Sequence, residues 1–562
     1  MMNTATLSSA VAAGLILLAA CGPAPDHALI IRGGTIYDGS GAAPYVADVA
    51  LDGDTISAIG ELDSLTARSD IDASGLAVTP GFINMLSWAN VSLIQDGTAQ
   101  SDIRQGVTLE VLGEGSSMGP LNAAMRERRR ARQGDFHYEV TWTTLGEYLQ
   151  HLEDRGIAPN VASFVGASTV RVHELGYEDR QPTPEELARM QGLVRAAMEE
   201  GALGVGSSLP YVPDNFATTA ELIALAQAAA EYDGMYISHI RDESDEIFPA
   251  LDEFFEIVRA SGIRGEIYHL KAARRANWHK LDAVIRRIAA ARAEGLPVTA
   301  NMYTYHASST GLDFIFPAWV QAGGHEAWIA RLKNPAIRER VAAELDMIPP
   351  EDILLVSFRN EQLRHLVGKT VAEVAAQRGT SAEATIIDLI IEDDSRVGTV
   401  RFTMSEDNVR RKVALRWVSF GSDAAAPAAE GLFLQSNPHP RAYGTFARLL
   451  GHYVRTEKLL SLEEAVRRLT HFPATNLKLD RRGLLAPGYY GDVVVFDPAT
   501  IIDHATFEAP HQYATGVVHV FVNGVQVLKD GNHTGATPGR FVRGPGWKQP
   551  EKREVRRGPY GY

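Results

Sequence analysis

Two histidines and two carboxylates in this chain stand where metal-assisted hydrolysis would need them. His239 closes the run Met235-Tyr-Ile-Ser-His239, and His269 closes Glu266-Ile-Tyr-His269. Asp423 closes Trp417-Val-Ser-Phe-Gly-Ser-Asp423, and Glu114 follows Val111-Leu-Gly113. Each run reads as a short buried strand, so all four side chains fall at strand ends. Zinc in a hydrolase takes about three protein ligands, usually His and carboxylate, and keeps a position for water. It lowers that water's pKa to about 7 and polarises a scissile carbonyl. A separate carboxylate must accept the water's proton and return it to the leaving group. Glu114, His239 and His269 suit the first task, and Asp423 suits the second. Taken singly, each has a plainer use, as a hydrogen-bonded strand-end histidine or a helix cap. The chemistry therefore requires a fold that gathers strand ends at one mouth.

Strands alternate with amphipathic helices through the middle of the chain. Residues 77–84, 107–113, 161–166, 203–207, 235–239, 265–269, 297–302 and 417–423 read as strands. Eight such parallel strands close a (β/α)8 TIM-like barrel, whose active sites lie at the C-terminal strand ends. Thr183-Pro-Glu-Glu186, Thr218-Thr-Ala-Glu221 and Ser461-Leu-Glu-Glu464 are capping-box starts for intervening helices. Residues 312–410 interrupt the alternation before the last strand and read as a largely helical insertion or lid, with Glu326 to Asp346 as one example. The basic run Arg126 to Arg132 reads as a solvated helix face. Short strands at residues 28–60 and again from Asp492 to Val522, the latter followed by the turn pair Asn523-Gly524, predict one small β-sandwich domain built from both chain ends. The expected organisation is 28–76 and 483–545 in the small domain, 77–311 and 411–482 in the barrel, and 546–562 as a tail.

The formal net charge of -15 argues against nucleic acid as a partner, because phosphate binding needs a basic face. The single cysteine excludes an internal disulfide. Cys21 ends Leu18-Ala-Ala-Cys21 after the apolar stretch Val11 to Ala20, which is too short to span a bilayer. This pattern predicts a signal peptide over 1–20, lipid on Cys21, and a tether over 21–27. The chain would then sit in a bacterial cell envelope, on the periplasmic side, touching membrane only through that anchor.

Several blocks carry a family resemblance. Gly265-Glu-Ile-Tyr-His269-Leu-Lys271, Trp417-Val-Ser-Phe-Gly-Ser-Asp423 and His439-Pro-Arg441-Ala-Tyr-Gly-Thr445-Phe446 resemble the N-acyl-D-amino-acid deacylase (D-aminoacylase) branch of the amidohydrolase superfamily. Ser238-His-Ile-Arg-Asp-Glu243 and Gly483-Leu-Leu-Ala-Pro-Gly488 belong to the same series, and the resemblance runs from Ala28 to Arg543. It implies hydrolysis of the amide bond of N-acyl-D-amino acids to a carboxylate and a D-amino acid. It also implies about one zinc per chain on Glu114, His239 and His269, a metal-activated hydroxide, and Asp423 as general acid/base. Arg441 would meet the substrate's carboxylate, because a guanidinium grips a carboxylate through paired hydrogen bonds. Lys271 and Tyr305 would line the pocket.

The chain also departs from that family. Where the superfamily has His-x-His after the first strand, this chain has Leu86 and Trp88, neither of which can bind zinc. A two-metal centre is therefore not expected. Glu114 stands where typical D-aminoacylases offer cysteine, and Asn301 stands where an acidic residue is usual. These losses leave two rivals open: a cyclic-amide or dipeptide hydrolase of the same superfamily, and a non-catalytic, lipid-anchored binding homologue.

Overall fold

The computed structural model describes residues 25–549. The expected signal peptide, Cys21 and most of the tether lie outside the described residues. The barrel strands are Phe82–Asn84, Val107–Leu112, Asn160–Ser163 continued by Val165–Gly166, Gly204–Ser208, Met235–His239, Arg264–Ile267, Val298–Met302 and Val418–Phe420. Neighbours pair in parallel. The ring closes where Met85 N–H donates to Phe420 O at 3.1 Å and Ser87 bridges Ala424. Alternation along each strand sorts the side chains. Ile83, Leu109, Val111, Met235 and Ile237 pack together inside the barrel. Phe82, Leu112 and Tyr236 face outward into the main core shared with the helices.

The predicted strand 77–84 proves to be two strands. Ala77–Pro80 pairs antiparallel with Val493–Phe496 in the small domain, and only Phe82–Asn84 joins the barrel. Pro80 and Gly81 turn the chain between the two sheets. A Cβ on Gly81 would stand 2.0 Å from Thr108 Oγ1, so only glycine fits there. The small β-sandwich domain is built from both chain ends, as expected, around a nine-stranded sheet. Asn523 and Gly524, at φ 48 and 77, form the two-residue turn of its hairpin.

The insertion is largely helical, as expected, and holds a small sheet besides. It carries a three-stranded antiparallel sheet of Ser308–Gly311, Gly398–Arg401 and Ile353–Ser357, with helices around a core of its own. The sheet starts before residue 312. At the other end, helix Glu406–Val413 sends Val409 and Val413 into the barrel's core, so it belongs to the barrel. The stretch from Glu326 to Asp346, expected to be largely helical, holds two helices, His325–Lys333 and Pro335–Glu344. Pro335 has no N–H to continue the first and suits the start of the second.

Thr183 forms a complete capping box with Glu186. Thr218 and Ser461 cap their helices without the reciprocal arm, and their glutamates pair with arginines. Glu221 pairs with Arg171 and Glu464 with Arg467. Arg171 and Glu221 are both buried. Removing one partner of a buried pair strands the other charge, at a cost of about 3–5 kcal/mol. Glu221→Ala should lose stability in that range, read by denaturant unfolding. A loss below about 1 kcal/mol, the scale of an exposed pair, would contradict it.

Candidate active site

Strand alternation aims the first ligand candidate. Met235 and Ile237 face the barrel interior, so His239, two residues further on, faces the mouth above them. Glu114 arrives through a bend. Gly113 is left-handed, at φ 104, and a Cβ there would lie 2.3 Å from Phe164 O. His269 and Asp423 are non-glycine residues in the left-handed region, at φ 32 and 50. Such strain costs about 1–3 kcal/mol and persists only where the surroundings hold it. Here the His269 N–H donates to Asn301 Oδ1 at 2.8 Å, and the Asp423 N–H donates to Leu86 O at 2.8 Å. Asn301 is fixed in turn by donating to Glu266 at 2.9 Å. The amide at this position thus holds the backbone of His269.

The three ligand candidates converge, all buried, with donor atoms within 4.8 Å of one another. Glu114 Oε1 lies 3.2 Å from His239 Nδ1 and 2.9 Å from His269 Nε2. Behind the rings stands Glu243, 3.2 Å from His239 Nε2 and 3.0 Å from His269 Nδ1. Lys271 Nζ reaches Glu243 at 2.7 Å. Burial pushes the Glu114 carboxyl up, but the facing His269 and His239 more than offset it and hold it well below the usual range. Burial likewise pushes Glu243 up, and Lys271 and the two imidazoles overcome it. Two imidazole nitrogens and one carboxylate oxygen, with an outer carboxylate orienting both rings, make a donor set that fits zinc.

Asp423 stands beside this cluster. The Trp88 indole N–H donates to both Glu114 Oε2, at 3.0 Å, and Asp423 Oδ1, at 3.1 Å. It meets there the negative charge of both carboxylates. Asp423 Oδ2 lies 2.7 Å from Arg441 Nη1, and the Arg441 guanidinium stacks over Tyr303 at 4.5 Å. Burial raises the Asp423 carboxyl, Arg441 opposes this, and Glu114 adds repulsion. A carboxylate with raised proton affinity suits proton transfer.

Glu114, His239, His269, Asp423, Arg441 and Lys271 all line one cavity of about 940 Å³. Tyr305 is not brought there. Its hydroxyl donates to Asp503 at 2.9 Å and its ring packs edge-on against His439. Tyr303 lines the cavity instead. Both follow Met302, the last residue of the seventh strand, where strand periodicity no longer aims side chains. Glu243 had no predicted role. Its signal was only its place in the block after His239, since a loop carries no alternation. The helix Ala123–Ala131 buries none of its residues, as expected of the basic run, yet Arg128, Arg129 and Arg132 line the cavity.

The sequence profile of the Amidohydrolase family matches residues 70–528. The chain is 34% identical over 523 residues to a D-aminoacylase of Alcaligenes xylosoxydans xylosoxydans, covering 92% of this chain and 97% of that protein. It is 33% identical over 520 residues to an N-acyl-D-glutamate deacylase of the same organism, covering 92% and 96%. Among solved structures, the N-acyl-D-glutamate deacylase of Bordetella bronchiseptica, complexed with zinc and a phosphonate inhibitor, matches with a TM-score of 0.78. That match has 31% identity over 92% of this chain and 99% of the other.

Proposed function

Because the chain belongs to the amidohydrolase family and is a hydrolase of carbon–nitrogen bonds, we propose that it deacylates N-acyl-D-amino acids. The observation that carries this reading is the convergence of Glu114, His239 and His269 beside Asp423 in one cavity. Relatives named as deacylases of D-amino-acid derivatives, similar over nearly their whole length, support open N-acyl substrates rather than cyclic amides.

Held by Glu114, His239 and His269, zinc would supply Lewis acidity to the attacking water and to the scissile carbonyl. Asp423 takes a proton from the water as its oxygen bonds to the carbonyl carbon. It then gives that proton to the amide nitrogen as the C–N bond breaks, releasing a carboxylate and a D-amino acid. Arg441 stabilises the ionised form of Asp423. Its Nε is buried and has no hydrogen-bond partner among the described residues, which suits it to the substrate's α-carboxylate. Glu243 and Lys271 hold the imidazoles in orientation. Attachment to the cell envelope through Cys21 is part of the same proposal and rests on the pattern of residues 1–21.

A substrate panel tests this reading. The zinc-loaded enzyme should give its highest kcat/KM on N-acetyl-D-amino acids, by about tenfold or more over the L-enantiomers, hydantoins and dipeptides. Turnover of hydantoins or dipeptides without turnover of any N-acetyl-D-amino acid would replace it.

A further inference from the structure

Three buried cations line the large cavity: Lys271, Arg401 and Arg441. Two of them face carboxylates of this chain. Lys271 pairs with Glu243 at 2.7 Å and Arg441 with Asp423 at 2.7 Å. Arg401 is only 5% exposed, yet its guanidinium makes no ion pair and donates no hydrogen bond to any described residue. Its Nε is buried without a partner. The contact it does make is with the Phe314 ring, 4.7 Å from guanidinium carbon to centroid, which steers it without neutralising it.

Arg401 ends the strand Gly398–Arg401 of the insertion's sheet and lines two neighbouring spaces. One is the large cavity. The other is a chamber of about 230 Å³ that shares His239, Glu243, Lys271, Ser308 and Phe314 with it. Arg274 and Asp346, also on that chamber, are paired with each other. A buried charge without a partner is costly unless something arrives to pair with it. Burial pushes the Arg401 guanidinium down to about 10, so it still carries its charge at neutral pH.

We propose that Arg401 is the anchor for a second carboxylate on the substrate, so that the enzyme acts on N-acyl derivatives of acidic D-amino acids. This rests on the deacylase reading and narrows it. Arg441, beside Asp423, takes the carboxylate next to the scissile amide. Arg401, on the insertion, takes the one at the end of the side chain. Identity to relatives does not make this choice, since the D-aminoacylase and the N-acyl-D-glutamate deacylase match almost equally well.

The test compares wild type, Arg401→Met and Arg401→Lys on four zinc-enzyme substrates: N-acetyl-D-glutamate, N-acetyl-D-glutamine, N-acetyl-D-leucine and N-succinyl-D-leucine. Wild type should prefer the glutamate to its neutral isostere by about tenfold or more in kcat/KM. Arg401→Met should lose that preference through KM while keeping turnover of the leucine derivative, and Arg401→Lys should keep part of it. A preference for N-succinyl-D-leucine over N-acetyl-D-glutamate would move the second carboxylate to the acyl group and overturn the side-chain assignment. Equal use of glutamate and glutamine by wild type would overturn the proposal, and that comparison stands even if neither variant folds. Calorimetric binding of D-glutamate against D-glutamine separates this failure from that of the deacylase reading. Acid-selective binding lost in Arg401→Met sustains the anchor without hydrolysis. Unselective binding removes it.

Discussion

Asp423→Asn keeps its metal and loses about 10²–10⁴-fold in kcat/KM, the range that a positioned general acid/base contributes. The asparagine is nearly isosteric. It can still accept the Trp88 N–H and still occupy the left-handed backbone, a conformation that Asn tolerates better than most residues. What it cannot do is take a proton from water and hand it to a leaving nitrogen. It also leaves Arg441 without its negative partner, so the substrate's α-carboxylate should bind no more weakly, and the loss should fall on kcat rather than KM. Steady-state kinetics beside metal analysis reads both. Turnover within about threefold of wild type would remove Asp423 from the proton path.

His269→Ala should fail in the opposite way, losing the metal and with it the activity. Removing an outer-shell partner of a metal site typically costs about 10–100-fold in affinity, and removing a ligand itself should cost more. The substitution also leaves Glu114 facing one imidazole and deprives Lys271 and Glu243 of a shared partner. Because residue 269 is held at φ 32, where histidine and asparagine are better tolerated than alanine, His269→Asn is the companion variant. Metal content after dialysis separates the two residues. Asp423→Asn should retain what wild type retains, and the His269 variants should not. Full occupancy in both His269 variants would take His269 off the ligand list.

The sequence carried the barrel well because the barrel's signal is local. Met235-Tyr-Ile-Ser-His239 shows, by alternation alone, which face its histidine shares with buried Met235 and Ile237. The same holds for the cap at Thr183 and the turn at Asn523-Gly524. The strand 77–84 failed as one element because hydrophobicity does not say which sheet a strand joins, and one of the two partners of Ala77–Pro80, Val493–Phe496, lies more than four hundred residues away. The insertion's sheet was missed for a related reason: its three short strands are separated by helices and pair across the whole insertion. Among site residues, those at strand ends followed from alternation, Lys271 and Arg441 followed from the family blocks, and Glu243 and Tyr303, both on loops, were not legible. Glu243 is aimed by the loop after the fifth strand, and Tyr303 rather than Tyr305 reaches the cavity once the seventh strand has ended. Trp88 was legible as a lost ligand. That its N–H would span Glu114 and Asp423 depends on three strands meeting.

In the proposed mechanism one metal, held by Glu114, His239 and His269, drives amide hydrolysis while Trp88 fills the place of a second. Elemental analysis of the purified protein, read beside N-acetyl-D-amino acid hydrolysis before and after chelation, tests it most directly. The expected result is about one zinc per chain, activity lost on chelation, and activity restored by about one equivalent of zinc. Two metals per chain would contradict the role given to Trp88. Full activity in chelated, metal-free protein would contradict the metal site itself.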